Sequence, residues 1–184
     1  MLDAIDVLSS TGLRTGEILS RAEVHRRGKY HRAVHIYILN SHGDILLQRR
    51  SSHVDHFPEM YSISVTGHVN AGEGSSHCAK REIEEELGLS VAEIEVEFLF
   101  SFFQEATLSR LYIDRQFNDV YLVHADIDPL QINVDEAEVE EARFVTFEDF
   151  RDMIINDSHE LAPVYKNECQ DLVYFLAHIN EQSR

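Results

Sequence analysis

Apolar and polar positions alternate through residues 33–39 (Ala-Val-His-Ile-Tyr-Ile-Leu), a two-residue period in a β-rich run that predicts a strand. Asn-Ser-His-Gly-Asp at 40–44 breaks the run as a turn, and Ile45-Leu46-Leu47-Gln48 resumes it, so the two runs predict a hairpin. Shorter β-like runs lie at 4–8, 61–66, 95–103, 118–125 and 142–145. A three-to-four-residue period takes over at 75–87, which predicts a helix. Thr146 is placed to cap a second helix whose first turn holds Glu148 and Asp149. Pro163 suits the first turn of a last helix, along which Tyr165, Cys169, Leu172, Leu176 and Ile179 form one apolar stripe. Strands and helices interleaved in this way predict a mixed sheet covered by helices.

The chain of 184 residues shows no repeat and no Pro/Gly-rich linker, so residues 1–184 read as a single domain. No apolar run reaches the roughly 18–20 residues a membrane span needs, and the start carries Asp3 and Asp6 with no basic segment, so no membrane partner and a cytoplasmic location are expected. Cys78 and Cys169 form no CxxC pair and read as reduced, structural thiols. The formal net charge of −17 argues against long nucleic acid as a partner, because backbone binding rests on clustered Lys and Arg. It is compatible with a small phosphorylated metabolite when bound metal supplies the positive charge, and equally with an acidity that serves solubility.

The informative stretch is residues 67–89, GHVNAGEGSSHCAKREIEEELGL. Ser75 or Ser76 can cap a helix there, and Gly88 can end it in a left-handed turn. Ala79, Ile83 and Leu87 share one face; Glu82, Glu85 and Glu86 share another. Three carboxylates gathered on one face repel, and they ask for cations: Arg81 is one, and hard divalent metals bound through oxygen are the others.

These residues match G-x5-E-x7-R-E-U-x-E-E-x-G-U, with U aliphatic, at every specified position: Gly67, Glu73, Arg81, Glu82, Ile83, Glu85, Glu86, Gly88 and Leu89. The stretch resembles the Nudix box. The resemblance implies an α/β protein, a Nudix-type α/β/α sandwich with a mixed β-sheet and a loop-helix-loop metal site. It implies that Glu82, Glu85 and Glu86 hold Mg²⁺ or Mn²⁺, that the Gly67 carbonyl reaches a metal, and that Arg81 pairs with Glu73 to brace the loop. The catalytic set becomes Glu82, Glu85 and Arg81, with Glu138 as a late acid and Glu105 and Asp119 as its rivals. Arg49 and Arg50 are candidate phosphate contacts, and His68 can line the substrate pocket. The implied reaction is hydrolysis of a diphosphate linkage in a nucleoside diphosphate-X or a similar metabolite. Homodimers are common in the family, and the sequence leaves this chain's assembly open.

Most of residues 5–150 is also similar to the isopentenyl-diphosphate isomerases, which share the fold and run proton-transfer chemistry at carbon. Their catalytic Cys corresponds to Thr66 here, and their Glu-x-Glu to Phe117-Asn118-Asp119, while the box of this chain is intact. All three departures point to hydrolysis. An isomerase and a non-catalytic binding module are the alternatives. His25, His31 and His68 are similar in kind to the isomerase metal-site histidines, and read either as such a remnant or as hydrogen-bonded structural residues.

Overall fold

The computed structural model describes residues 4–182 apart from 55, 93, 129–131, 133, 135 and 136, with the side chains of 179–182 also outside the description. The elements run β1 (Ala4–Leu8), β2 (Arg14–Ser20), α1 (Arg21–Arg26), β3 (His31–Leu39), β4 (Ile45–Arg50), β5 (Tyr61–Ser62), β6 (Val65–His68), α2 (Ser75–Leu87), β7 (Glu97–Ser109), β8 (Tyr112–His124), β9 (Val139–Val145), α3 (Phe147–Ile155) and α4 (Lys166–Gln182). A 3-10 turn, Pro163–Tyr165, leads into α4, so Pro163 opens that turn and the α-helix follows it.

Seven strands form one mixed sheet in the order β5-β4-β3-β8-β7, with β6 also paired to β3 and β9 to β4. β3 and β8 run parallel, while β3–β6, β4–β9 and β7–β8 are antiparallel. Helix α2 covers one face and α3 with α4 the other, so each face has its own core. This is the α/β/α sandwich expected. β1 and β2 make a separate two-stranded ribbon, and it is tied to the loop before α2 where Ala71 N–H donates to the Ala4 carbonyl at 2.7 Å.

The expected hairpin of β3 and β4 forms, paired antiparallel with Leu39 opposite Ile45. The alternation expected in residues 33–39 does not carry through to burial. All of β3 except Arg32 is buried, because the strand lies mid-sheet with helices on both sides. The expected strand 61–66 is split into β5 and β6. Two elements, β2 and α1, lie outside the sequence expectation, and β7 and β8 each run to thirteen residues, longer than expected. β2 shows little burial along its length and α1 is a six-residue helix, so neither projects a strong apolar period. Thr146 caps α3 as expected, accepting from Asp149 N–H at 3.0 Å. Of the expected apolar stripe, Tyr165 in the 3-10 turn and Cys169, Leu172 and Leu176 on α4 are buried, and the side chain of Ile179 lies outside the described residues. Both cysteines are free and buried.

Candidate active site

Helix α2 is held by its apolar stripe. Cys78, Ala79, Ile83 and Leu87 are fully buried against Val34, Ile36, Ile38 and Val65, which turns the acidic stripe toward the rim of the sheet. Gly88 ends the helix in the left-handed region at φ 65° and returns its N–H to the Glu84 carbonyl at 3.0 Å. The start differs from expectation. Gly74 is the cap residue and no side chain caps the helix; the Ser75 hydroxyl instead meets the Tyr121 hydroxyl at 2.7 Å.

The loop ahead of α2 is organised by Glu73. Its carboxylate takes a two-pronged pair from Arg81, Nε and Nη2 each at 3.0 Å, and accepts the Asn70 N–H at 2.9 Å. Burial opposes the charge on Glu73, yet Arg81 and the Asn70 amide outweigh it and hold the carboxyl at about 2. Arg81 Nη1 reaches Glu82 at 2.7 Å and Glu85 at 2.8 Å, so one guanidinium bridges three acids. The bracing role expected of Arg81 is present in the geometry, together with contacts to the two neighbouring box acids.

Gly67 lies directly behind Glu82. A Cβ at Gly67 would collide with the Glu82 carboxyl, so the strand can approach the helix only at a glycine. Burial pushes Glu82 up to about 7 despite Arg81, and Glu86 up to about 8. The Glu86 carboxylate has the Gln48 amide at 2.9 Å and the Thr66 backbone N–H, and no cationic side chain forms an ion pair with it among the described residues. A half-buried carboxylate without a cation among the described residues, beside Glu82 on the same helix face, fits a hard divalent ion held through oxygen. Glu85 is more exposed than either and faces outward from the same turn of helix.

The late acids separate clearly. Glu138 sits just ahead of β9, where its backbone carbonyl accepts the Ser51 N–H at 2.9 Å, and its charge is close enough to help raise Glu86. Glu105 is paired with Arg115 at 2.7 Å on the β7–β8 ribbon. Asp119 is held by Arg32 at 2.5 Å and by the Ser101 hydroxyl at 2.6 Å. Only Glu138 among the three is tied to the α2 carboxylates.

The two arginines also differ. Arg49 is occupied by the Glu59 carbonyl at 3.1 Å and by Glu140 at 3.5 Å. Arg50 spends its Nε on the His56 carbonyl at 3.0 Å, and its charge is felt at Tyr165 and Tyr112. Tyr165 also senses Glu86 and hydrogen-bonds Thr66, so Arg50, Tyr165 and Glu86 border one region.

His68 belongs to a different group. Its Nε2 lies 3.0 Å from His25 Nε2, and its ring is stacked on His31 with centroids 5.3 Å apart. The donor atoms of His25, His31 and His68 all lie within 4.8 Å of one another. Burial lowers His31 to about 4 and also lowers His68, so both rings are neutral donors near pH 7. His31 Nε2 is buried with no hydrogen-bond partner among the described residues. Asp114 faces this cluster, 2.8 Å from His25 Nδ1. The acid beside the histidines is therefore Asp114 of β8. The aligned Asp119 points to Arg32 instead, since residues 114 and 119 project from opposite faces of the strand. Three clustered imidazoles with a carboxylate behind one of them could hold a transition metal.

On the same face, Glu168 is fully buried in the core. It accepts from the Tyr37 hydroxyl at 2.8 Å and the Asn118 amide at 3.3 Å, and it lies 2.8 Å from His35 Nδ1. Sequence reasoning missed this group; its only signal is a His amid the apolar residues of β3.

The NUDIX domain family profile matches residues 29–167. This chain belongs to the NUDIX domain family. Nudix hydrolase 3 of Arabidopsis thaliana is 35% identical over 97% of this chain, which spans 24% of that protein's length. Isopentenyl-diphosphate Delta-isomerase 2 of Photorhabdus laumondii is 29% identical, covering 74% of this chain and 73% of its own. The crystal structure of DR0079 from Deinococcus radiodurans superposes with a TM-score of 0.72 at 21% identity, covering 92% of this chain and 98% of its own, and shows the same fold. The Nudix assignment and the likeness to the isomerases both stand. No described helix is long and apolar enough to cross a membrane.

Proposed function

We propose that this chain is a divalent-metal-dependent hydrolase, using Mg²⁺ or Mn²⁺ to cleave a diphosphate linkage in a nucleoside diphosphate-X or a similar small phosphorylated metabolite. The observation that carries the reading is the arrangement at the end of α2: Glu82, Glu85 and Glu86 on one helix face, Glu82 against Gly67, and Glu86 half-buried with no cationic partner among the described residues. A divalent ion bound there neutralises charge on the diphosphate and lowers the pKa of a bound water. Glu82, Glu85 and Glu86 serve as its ligands with the Gly67 carbonyl. Arg81 keeps Glu82 and Glu85 in place while tying the loop to α2 through Glu73. Glu138, beside Glu86 and exposed, orients the attacking water and accepts its proton. Arg50, whose guanidinium makes only one hydrogen bond among the described residues, contacts a substrate phosphate.

The isomerase alternative loses support at its acid. Thr66 occupies the position of the catalytic thiol, and Cys78 is fully buried, faces the α2 core and has its thiol pushed up by burial. A binding module would not need three metal-ready carboxylates.

A phosphate-release screen with Mg²⁺ and Mn²⁺ tests the reading against nucleoside triphosphates, ADP-ribose, NADH, nucleotide sugars, dinucleoside polyphosphates and isopentenyl diphosphate. A metal-dependent product that Glu85→Gln and Glu86→Gln abolish supports it. No turnover, with thermal stabilisation by one compound, replaces it with the binding module.

A further inference from the structure

A cleft lies away from the α2 carboxylates, between the β1–β2 ribbon, the end of α1 and β8. It has a volume of ≈ 720 Å³ and is lined by Val7, Ser10, Arg27, Lys29, Tyr30 and Arg115 among others. That size suits a small organic ligand. In a chain of net charge −17, this cleft is lined by three cations and by one carboxylate, Glu17.

The carboxylate is shared. Arg27 Nη1 and Lys29 Nζ both approach Glu17, each at 3.2 Å, and the paired side chains are about a third exposed. Arg115 pairs with Glu105 across the β7–β8 ribbon at 2.7 Å, with both side chains well exposed. Three cations therefore face two acids, which leaves a positive charge uncompensated. Exposed pairs of this kind are weak, because water and salt screen them, so a phosphate dianion can exchange for the carboxylates at small cost. Tyr30 lines the same cleft, with the Arg115 guanidinium over its ring, 5.8 Å from the centroid. The Tyr30 ring also packs against Phe103 and Phe117, with centroids 6.0 and 6.2 Å away.

We infer that this cleft is a second ligand site, distinct from the α2 carboxylates, for a phosphate monoester that carries a planar ring. The phosphate is held by Arg27, Lys29 and Arg115, and the ring lies against Tyr30. The Lys29 carbonyl also faces His31 Nδ1 at 3.1 Å, so the backbone that lines the cleft joins directly to the histidine cluster.

Isothermal titration of the metal-chelated protein with AMP, ribose 5-phosphate and inorganic phosphate tests the assignment. Chelation removes the metal on which phosphate binding at α2 depends. AMP should bind, and more tightly than the two probes that lack a planar ring. The double variant Lys29→Ala/Arg115→Ala should weaken AMP at least tenfold. Both side chains are partly exposed, so thermal melting should show the variant folded. Glu86→Gln should leave AMP binding in place, which separates this site from the proposed hydrolase centre. No AMP binding at millimolar concentration, equal affinity for all three probes, or loss on Glu86→Gln but not in the double variant would each overturn the inference.

Discussion

The α2 carboxylates and the histidine cluster sit on the same protein and are built in opposite ways. The first comes from one continuous stretch: Gly67, Glu73, Arg81, Glu82, Glu85 and Glu86 fall within the end of β6, the loop after it and α2. The second draws His25 from α1, His31 from β3, His68 from β6 and Asp114 from β8. The local site is held together by a cation, since Arg81 bridges Glu73, Glu82 and Glu85. The nonlocal site is already gathered, with its three nitrogens within 4.8 Å. Helical spacing places carboxylates side by side but leaves them to repel. Burial disfavours the charged form of His31 and His68, so tertiary packing brings them together with no such conflict.

The largest effect expected is on turnover. Glu85→Gln or Glu86→Gln should lower metal-dependent hydrolysis by at least about a hundredfold in a phosphate-release assay. The visible spectrum of bound Co²⁺ should survive the same variants and disappear in His31→Gln. A spectrum that follows the glutamates instead would collapse the two centres into one.

Arg81→Ala should cost about 2 kcal/mol in urea unfolding. It leaves Glu73 and Glu82 partly buried without their cation, and the residual exposure of Arg81 discounts the full penalty of breaking a buried pair. An unchanged midpoint would show that the loop needs no brace.

The metal-free protein should show a pH signature. Glu82 at about 7 and Glu86 at about 8 stand above the 4.5 of an ordinary glutamate. The two carboxyls therefore hold more proton in the folded than in the unfolded chain, which lowers stability as pH rises, while His31 at about 4 and the lowered His68 act in the opposite sense below the 6.5 of an ordinary histidine. Melting of chelated protein should therefore drop between about pH 6.5 and about pH 8, and added Mg²⁺ should raise the melting temperature most at the alkaline end. A flat profile would mean that both carboxylates ionise freely without metal. The smallest effect belongs to a site remote from both centres: Thr146→Ala removes the α3 cap and should cost about 1 kcal/mol in the same unfolding assay.

Much of the fold was legible because its signals are short-range. The apolar stripe of α2, the left-handed Gly88 and the Thr146 cap are each written within a few residues, and the structure carries all three. The box acids were legible for the same reason. Ser75 misled because its hydroxyl is taken by Tyr121, forty-six residues on. The alternation expected in β3 did not hold because neighbours on both faces bury the strand.

By itself the sequence determined the Nudix box, the helix that presents its carboxylates, and the arginine–glutamate pair that ties the loop. Spacing along one helix settles which side chains share a face, whatever surrounds it. The tertiary structure decided the rest. It set Gly67 where β6 meets Glu82, gave Glu86 no cationic partner among the described residues, placed Glu138 near it, and paired Asp119 and Glu105 with arginines. It also gathered His68 with His25 and His31. Those outcomes depend on strand order and on the face from which each residue projects, and burial then sets which charges persist. No local pattern encodes them.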